Sequence, residues 1–574
     1  PDFFSYEAYK SSNMSCIFFH SRLSIIDPTS SANQPFKNKR FSIIFNGEIY
    51  NYIELRNELS KVGCKFKTSS DTEVFLNAYS YWGDKSFEKF EGMWAAVIFD
   101  LKNFSIKLCR DRFGEKPLYF LKDKDTVYFS SETKYIHKLR GKRDDINLKH
   151  IKRFIVNGYK SLYKSTETFY KNIKYVNPSE ILECKKNLNF KSKFYWNLKF
   201  KINKKIKFAD CKNLIRDRFK TIIKQKLRSD VPISFCLSGG IDSNLLLYLA
   251  DFYGFRKLNT FSIYDDNQNY DESENIEKTI KNLNITNHHS IKLEKRDFLT
   301  NLENQTKYND APLATISFFV SSLLAKKINK QKIKVTIQGN GADEIFTGYY
   351  HHYNCFLKSL KNDEFNFNFE NWKNFYKDNI RNPSLNNFER FKKNSYEHIF
   401  YEKNKNKSFL NEEFNEEFEE KNFTNDFLRN RMLNEIKYES LPVLLNENDL
   451  AFMRYSVENR NLYLDSELCE LIFSLPSNFL IKDGFLKFLL RNCFSDILPN
   501  HIKNDRKKKG FNASLSSLLD IKSKDFKDFI LEDSEIYDVF DKKQISKLLD
   551  DYREMNSEKK LLFSLITTKI FMEK

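Results

Sequence analysis

The chain has 574 residues, which sets a length prior of roughly two to four domains. Its 95 Lys and Arg against 77 Asp and Glu give a net charge of +18, but the two signs are interspersed along the whole chain, which argues for compositional bias over the clustered footprint of a nucleic-acid or membrane-surface binder. No run approaches the roughly 18 apolar residues of a membrane span, no signal-peptide pattern is present, and the nine cysteines (16, 64, 109, 184, 211, 236, 355, 469, 493) form no CxxC pair or Cys/His cluster, which speaks against a zinc site or disulfide scaffold and fits a reducing cytoplasm.

Residues 1–185 read as an α+β region. Short apolar runs predict strands over 16–20, 41–45, 95–99, 105–109, 118–121 and 126–130, and helical spacing predicts helices over 52–62 and 71–82. Three blocks, HSRLSIID (20–27), FNGEIYNY (45–52) and RDRFGEKPLYF (110–120), together with SSDTEV (69–74) and FEGMWAAVIFD (90–100), span most of the region. They resemble the glutaminase domain of class II, N-terminal-nucleophile amidotransferases. The resemblance implies layered β-sheets with helices, and a pocket that hydrolyses the side-chain amide of glutamine. In it the Asn46 side chain and the Gly47 N–H would form the oxyanion hole, Arg22 would pair with the α-carboxylate, and Glu48 and Asp71 would hold the α-amine. Singly, Asn46-Gly47 is also a hairpin turn and Arg22 a surface ion-pair partner; it is their joint presence that favours the pocket.

The same resemblance implies a cysteine nucleophile at the mature N-terminus, with its own α-amine as base. No residue here matches it: Cys16 lies inside an apolar, strand-like run and reads as a buried structural thiol. Pro1-Asp2 resembles the family's Gly-Pro-Asp segment, which follows that cysteine. Two expectations stay open: a start that lies upstream of Pro1, or an inactive domain and the use of free ammonia.

Residues 186–210 are basic with interspersed aromatics (Phe194, Tyr195, Trp196, Phe200). Such a mixture could bind single-stranded nucleic acid. The family carries a strand and linker ending in a Tyr-Trp-type pair at this place, so we read a linker.

Residues 211–574 open with a helix predicted over 212–227, then VPISFCLSGGIDSNLLLYLA (231–250): a strand-length apolar run, a Ser-Gly-Gly turn, and a helix. Two glycines and a helix start can cradle an anion; a plain strand-to-helix turn with a capping side chain is the bland alternative. Strands follow over 258–266 and 333–338, with a helix over 270–284, and this alternation predicts an open parallel sheet with ligands beyond the carboxyl ends of its strands. SGGIDS (238–243) resembles the pyrophosphate loop of ATP pyrophosphatases, and GNGADEIFTGYY (339–350), NDLAFMRYSVENRNLYLD (448–465) and the segment 484–511 narrow the resemblance to glutamine-dependent asparagine synthetases. It implies ATP bound by Cys236, Ser238, Gly239, Gly240, Asp242, Ser243, Ile263 and Gly339, with Asp242 and Asp343 as Mg2+ ligands. A Gly-rich turn with a solvated Asp-Glu is the alternative at 339–344.

Lys487 and Arg491, four apart, share one face of a helix; turned inward they would counter charge on the phosphates, turned outward they are solvated. Arg506-x-Lys508-x-Gly510-Phe511 supports the inward reading. His288-His289 lacks further ligands and reads as structural. Residues 355–430 read as a mainly helical excursion, with Phe365, Phe367 and Phe369 at a spacing of two that predicts a short strand or extended loop.

The expected function is an ATP-dependent amide-forming ligase: a carboxylate, by default aspartate, is adenylated and then aminated by ammonia from glutamine. Two departures bear on the acceptor. Asn340 stands where the family usually has Asp or Glu, and Leu462 where it usually has Pro, which leaves open another carboxylate such as a sugar acid of surface polysaccharide. A tRNA-modifying pyrophosphatase would share SGGIDS but not NGEIYN, and a non-enzymatic relative would not need SGGIDS, Asp343-Glu344 and Lys487 together. The expected partners are small molecules, with no nucleic acid and no membrane; a homodimer is compatible with the sequence.

Overall fold

Strand β5 (Gly92–Asp100) reads MWAAVIF between its ends because it is buried on both faces. Trp94, Ala96 and Ile98 point to one side and pack with Phe75, Ala78 and Leu59 of the helices Asp71–Trp82 and Tyr52–Lys61. Ala95, Val97 and Phe99 point to the other and pack with Phe18, Leu108 and Leu118. The strand thus sits between two layers of core, as its period of two requires.

In a computed structural model of the chain, residues 1–574 are described except for 12–13, 266, 268–270, 381, 396, 398–405, 417–418, 511–512, 554 and 574. β1 (Phe3–Lys10) and β2 (Ser15–Arg22) form an antiparallel pair. β3 (Phe36–Lys37), β4 (Phe41–Ile49), β5, β6 (Ser105–Arg110), β10 (Glu180–Cys184) and β11 (Phe190–Phe194) make a six-stranded antiparallel sheet in the order β11-β10-β6-β5-β4-β3. β7 (Tyr119–Asp123), β8 (Thr126–Ser130) and β9 (Lys174–Tyr175) make a third sheet, ordered β8-β7-β9. β11 falls within the stretch read as a linker and pairs with β10 from Phe190↔Cys184 to Phe194↔Glu180, so it belongs to the first sheet.

The second half is a parallel sheet of β12 (Ile233–Cys236), β13 (Asn259–Tyr264), β14 (Asn287–Lys292), β15 (Val335–Gln338) and β16 (Glu458–Asn461), in the order β14-β13-β12-β15-β16. The chain leaves β12 for β13 on one side and later returns to β15 on the other. The strand order therefore reverses between β12 and β15, and the crevice beyond their carboxyl ends is where such sheets bind ligands. The preceding helix runs Phe208–Lys226, four residues earlier at its start than the spacing predicts, and the helix after β13 runs Ser273–Asn282. Tyr270, the first residue of that predicted helix, and Phe511 lie outside the described residues.

The Phe365/Phe367/Phe369 expectation is corrected: these residues lie in the helix Asn362–Phe375. Phe365 and Phe369, four apart, stack with ring centroids 5.3 Å apart, and Phe369 continues onto Trp372 at 5.7 Å. Phe367 is 57% exposed, so the alternation with Asn has no buried face behind it.

The two halves share cores. Ile25, Ile26 and Phe113 pack into the core of the parallel sheet, and Tyr119, Ile151, Phe154 and Tyr175 join one that includes the C-terminal helix Asn556–Met572. Among the described residues no helix is long and apolar enough to cross a membrane.

Candidate functional site

Two clusters gather most of the residues singled out above. In the first, β4 carries Asn46, Gly47 and Glu48 opposite Ala95, Trp94 and Met93. Gly47 has φ +141°, and a Cβ there would lie 2.0 Å from the Met93 carbonyl oxygen, so only glycine lets β4 run this close to β5. Asn46 Nδ2 donates to Ser131 Oγ at 3.3 Å. Asp71 opens its helix behind Ser70, which caps Thr72 N–H, and its carboxylate accepts the Ile49 N–H at 3.0 Å. Burial pushes the Asp71 carboxyl up to about 6. Burial, then Asp71 and Glu458, raise Glu48 well above the usual range.

Arg22 is buried beside Asp27, Asp71 and Glu48. Its terminal nitrogens donate to Thr29 O (2.8 Å), Asn33 Oδ1 (3.2 Å), Ile26 O (2.9 Å) and Asp27 O (2.6 Å). These bonds account for its four terminal N–H groups and leave Nε–H, a narrower donor than the open fork expected from the sequence. Cys16 sits in β2 opposite Tyr9, with its thiol pushed up to about 12 by burial, the reverse of an activated nucleophile.

The second cluster lies at the crevice. β12 ends at Cys236, whose Sγ is 3.4 Å from Thr336 Oγ1 of β15, and Ile263 comes in from β13. The turn is tied internally: Ser243 Oγ accepts from Ser238 N (3.1 Å), and Asn244 Nδ2 donates to the carbonyls of Ser238 (2.9 Å) and Gly240 (2.7 Å). Gly339 faces Asp242 closely, since a Cβ at position 339 would lie only 2.9 Å from the Asp242 Cβ. Asp242 opens the helix Ile241–Phe252, and Asp343 lies in the helix Ala342–Phe346 after β15. Between them stands Lys487, with Nζ 2.6 and 2.7 Å from the Asp242 oxygens and 2.5 Å from Asp343 Oδ1. Lys508 is paired with Asp343 as well. Against the cost of burial, these two ammonium groups hold Asp343 well below the usual carboxylate range, whereas burial raises Asp242, which has Lys487 alone in contact. The two carboxylates are thus spaced to share one cation.

Lys487 precedes the helix Phe488–Cys493 with φ +55°, so the expectation that it shares a helix face with Arg491 is corrected. Arg491 donates to the carbonyls of Leu486 (3.0 Å), Ile502 (3.1 Å) and Lys503 (2.6 Å). These bonds fasten the loop behind Lys487, and the Asp242 carboxylate acts on the Arg491 guanidinium as well.

Two contributors were not singled out in the sequence, and a third was noted there only as a departure from the family. A Cβ on Gly348 would lie 1.7 Å from Asp343 Oδ1 and 2.4 Å from Lys487 Cε, so that glycine makes room for the ion pair. Glu272 accepts the Gly239 N–H (2.8 Å) and the Gly510 N–H (2.6 Å), so its carboxyl group occupies the turn expected to hold phosphate, and burial raises its pKa. Asn340, the departure noted above, donates to Gln338 Oε1 and to Asn461 Oδ1, both at 2.8 Å, and Asn461 Nδ2 donates to Glu115 Oε2 at 2.9 Å. The spacing within a motif gives no signal for the last two, because Glu272 reaches Gly239 and Gly510 in two other motifs and Asn340 reaches Asn461 in a third.

His288 and His289 lie in β14, where His288 Nδ1 meets Thr260 Oγ1 at 3.0 Å. A different trio, His351, His352 and Glu435, could by distance hold a metal. Tyr349 N–H, however, donates to His352 Nδ1 at 3.3 Å, which puts the His352 proton on Nε2, where it meets Glu435 Oε2 at 2.7 Å. That is a hydrogen bond, in which the nitrogen lacks the free lone pair a metal needs.

An antiparallel glutaminase-type domain followed by a parallel-sheet domain with a nucleotide-type turn at its switch point defines a two-domain glutamine amidotransferase of the synthetase type. The chain belongs to the asparagine synthase family: the family described as "Asparagine synthase" matches residues 214–573, and that described as "Glutamine amidotransferase domain" matches 5–196. It is 28% identical over 564 residues to the Bacillus subtilis protein named asparagine synthetase [glutamine-hydrolyzing] 1, covering 93% of this chain and 86% of that one. It is 27% identical to asparagine synthetase [glutamine-hydrolyzing] 3 of the same organism, with the same shares covered. It is also 28% identical, over 58% of this chain and 51% of the relative, to a Gibberella zeae protein named amidase chry2. Membership implies an enzyme that uses ATP and glutamine.

Proposed function

We propose that the chain activates a carboxylate, aspartate in the first instance, as an acyl-adenylate and converts it to an amide with ammonia released from glutamine. The observation that supports this most is the Asp242–Lys487–Asp343 contact beside the Ser238–Ser243 turn, at the carboxyl ends of β12 and β15. The turn's N–H groups and the start of the helix Ile241–Phe252 would receive the pyrophosphate part of ATP, in place of the Glu272 carboxylate now on Gly239 N–H. Asp242 and Asp343 fit Mg2+, which when bound shields phosphate charge. Lys487, displaced from the carboxylates, would then be free to donate to the oxygens on which charge develops as the acceptor carboxylate attacks the α-phosphorus and pyrophosphate leaves.

In the first domain Asn46 and the Gly47 N–H would stabilise the oxyanion formed when a nucleophile or water adds to the glutamine side-chain amide, whose C–N bond then breaks to release ammonia, and Arg22, Glu48 and Asp71 would hold its amino-acid end. Ammonia then displaces AMP from the acyl-adenylate, giving the amide. Shared cores between the two domains favour internal transfer, since water competes for the adenylate.

A second reading rests on Asn340. Its amide is satisfied by Gln338 and Asn461, and it offers no carboxylate to a substrate amine. This favours an acceptor other than aspartate, such as a sugar acid. ATP–pyrophosphate exchange separates the two: exchange with aspartate supports the first reading, and exchange with a uronic acid but not aspartate overturns it.

A further inference from the structure

Away from both clusters, a cavity of about 50 Å³ lies between the two domains, lined by Tyr119 and Tyr163 from the first and by Asn309, Asp310, Asn446 and Glu447 from the second. One water needs roughly 10–15 Å³ by this measure, so the space suits a few waters or one ion with part of its hydration. The lining carries polar atoms with no partner among the described residues. Glu447 Oε1 accepts the Ala314 N–H at 3.3 Å, but Oε2 is buried and unpaired, and so are both amide atoms of Asn309.

The charges around the cavity are otherwise matched. Asp310 is held by Tyr170 Oη (2.6 Å), Thr133 Oγ1 (2.8 Å) and His137 (3.3 Å), and Glu167 by Arg153 (2.7 Å). Asn446 Nδ2 donates to Tyr119 Oη at 2.8 Å, which leaves the Asn446 amide oxygen as an acceptor. Among the described residues Glu447 has no such cation: burial drives its carboxyl up to about 8, opposed by the Ala314 N–H. At neutral pH Glu447 therefore keeps its proton, and it ionises only where something positive joins it and offsets the several kcal/mol that a buried carboxylate charge costs. Asn309 is also the last residue of the twelve-residue helix Phe298–Asn309, whose carboxyl end carries partial negative charge.

We propose that Glu447 and Asn309 form a monovalent-cation site at the domain interface, taking K+ or NH4+. A single carboxylate with amide and phenol oxygens balances one positive charge. It does not supply the octahedral oxygen set or the charge that Mg2+ demands. K+ and NH4+ are close in size and weakly hydrated, and both accept carboxylate and amide oxygens. The bound ion would tie Tyr119 and Tyr163 of the first domain to the helices Phe298–Asn309 and Ser440–Met453 of the second. This site is independent of the nucleotide and glutamine chemistry proposed above.

The test uses the full chain and thermal unfolding in KCl, NH4Cl, LiCl and choline chloride at equal ionic strength. KCl, NH4Cl or both raise the wild-type Tm by roughly 2–5 °C over choline, LiCl does not, and Glu447→Gln abolishes the rise. A rise with both ions assigns the shared size and charge as the recognised feature; a rise with NH4Cl alone assigns the N–H donors. A wild-type Tm indifferent to both salts, as for a protonated Glu447 beside water, overturns the proposal, as does a rise retained in Glu447→Gln. Should that variant fail to fold, crystals of the wild type soaked in Tl+ decide: an anomalous peak beside Glu447 Oε2 and Asn309 Oδ1 supports the site, and its absence overturns it.

Discussion

Lys487→Met removes the ammonium that Asp242 and Asp343 share while keeping most of the side-chain volume. Two part-buried carboxylates then face each other, and Lys508 remains on Asp343 alone. Breaking a buried ion pair by removing one partner costs about 3–5 kcal/mol. The residual Lys508 contact, and uptake of a proton by Asp242, whose carboxyl burial already raises, bring the expected loss to about 2–3 kcal/mol. In urea titrations with EDTA the variant should unfold at a correspondingly lower midpoint. A cation that binds the bared carboxylates at a hundred times its Kd returns about 2.7 kcal/mol, so Mg2+ should restore most of the loss, and it should stabilise the variant more than the wild type, where Lys487 competes. Exchange of pyrophosphate into ATP should fall by about 10²–10³-fold and stay low in Mg2+, because the lysine's share in stabilising the departing charge is not replaced. A variant as stable as the wild type in EDTA, or equal Mg2+ effects on both proteins, would refute the view that Lys487 stands where a cation is wanted.

Gly348→Ala puts a methyl group into the contact of Asp343 with Lys487, and a displacement near 1 Å there should cost on the order of 10²-fold in exchange, with a far-ultraviolet circular dichroism spectrum unchanged. Unchanged exchange would mean the pair tolerates movement. Glu115, pushed up to about 8 by burial, holds its proton in the folded chain at pH values where the unfolded chain has released it. Folding therefore takes up a proton between the ordinary glutamate pKa of about 4.3 and 8, and stability falls as pH rises through that window. Glu115→Gln should flatten this fall by about 1–3 kcal/mol in urea titrations across the window; an unaltered slope would place the Glu115 proton elsewhere.

Much of the layout could be read from the chain because each motif carries its own punctuation. The helix Asp71–Trp82 begins at Asp71 behind a Ser cap, and Ser238-Gly239-Gly240 separates a strand from a helix, so both fall where the residues place them. What could not be read lies in contacts between motifs. Arg491 satisfies three carbonyls, a role set by Leu486 and by how the helical turn Asn500–Lys503 folds back, and no spacing rule encodes that. Glu272 bridges Gly239 and Gly510 across the crevice, and a Cβ at Gly348 would meet Lys487 from another segment as well as Asp343 from its own. Phe365, Phe367 and Phe369 mislead for the opposite reason: a spacing of two suggests a pleat, yet a pair four apart and an exposed ring between them describe a helix just as well.

The strand β16 shows how closely the two clusters are joined. Its first residue, Glu458, acts on both Glu48 and Asp71 of the first cluster and is bonded to Arg460 at 2.8 Å. Its last, Asn461, lies beside Gln338 of β15 and bridges Glu115 to Asn340 at the crevice. Three residues along a strand span roughly 10 Å. A four-residue edge strand thus touches both clusters, and its register against β15, Val335↔Glu458 through Gln338↔Asn461, fixes them relative to one another. A slip of one residue would turn Glu458 and Asn461 to the opposite face and part both sets of contacts at once. Register here is a requirement of joint function as well as of packing, and it accounts for a strand whose four residues, Glu458, Asn459, Arg460 and Asn461, are all polar and all buried.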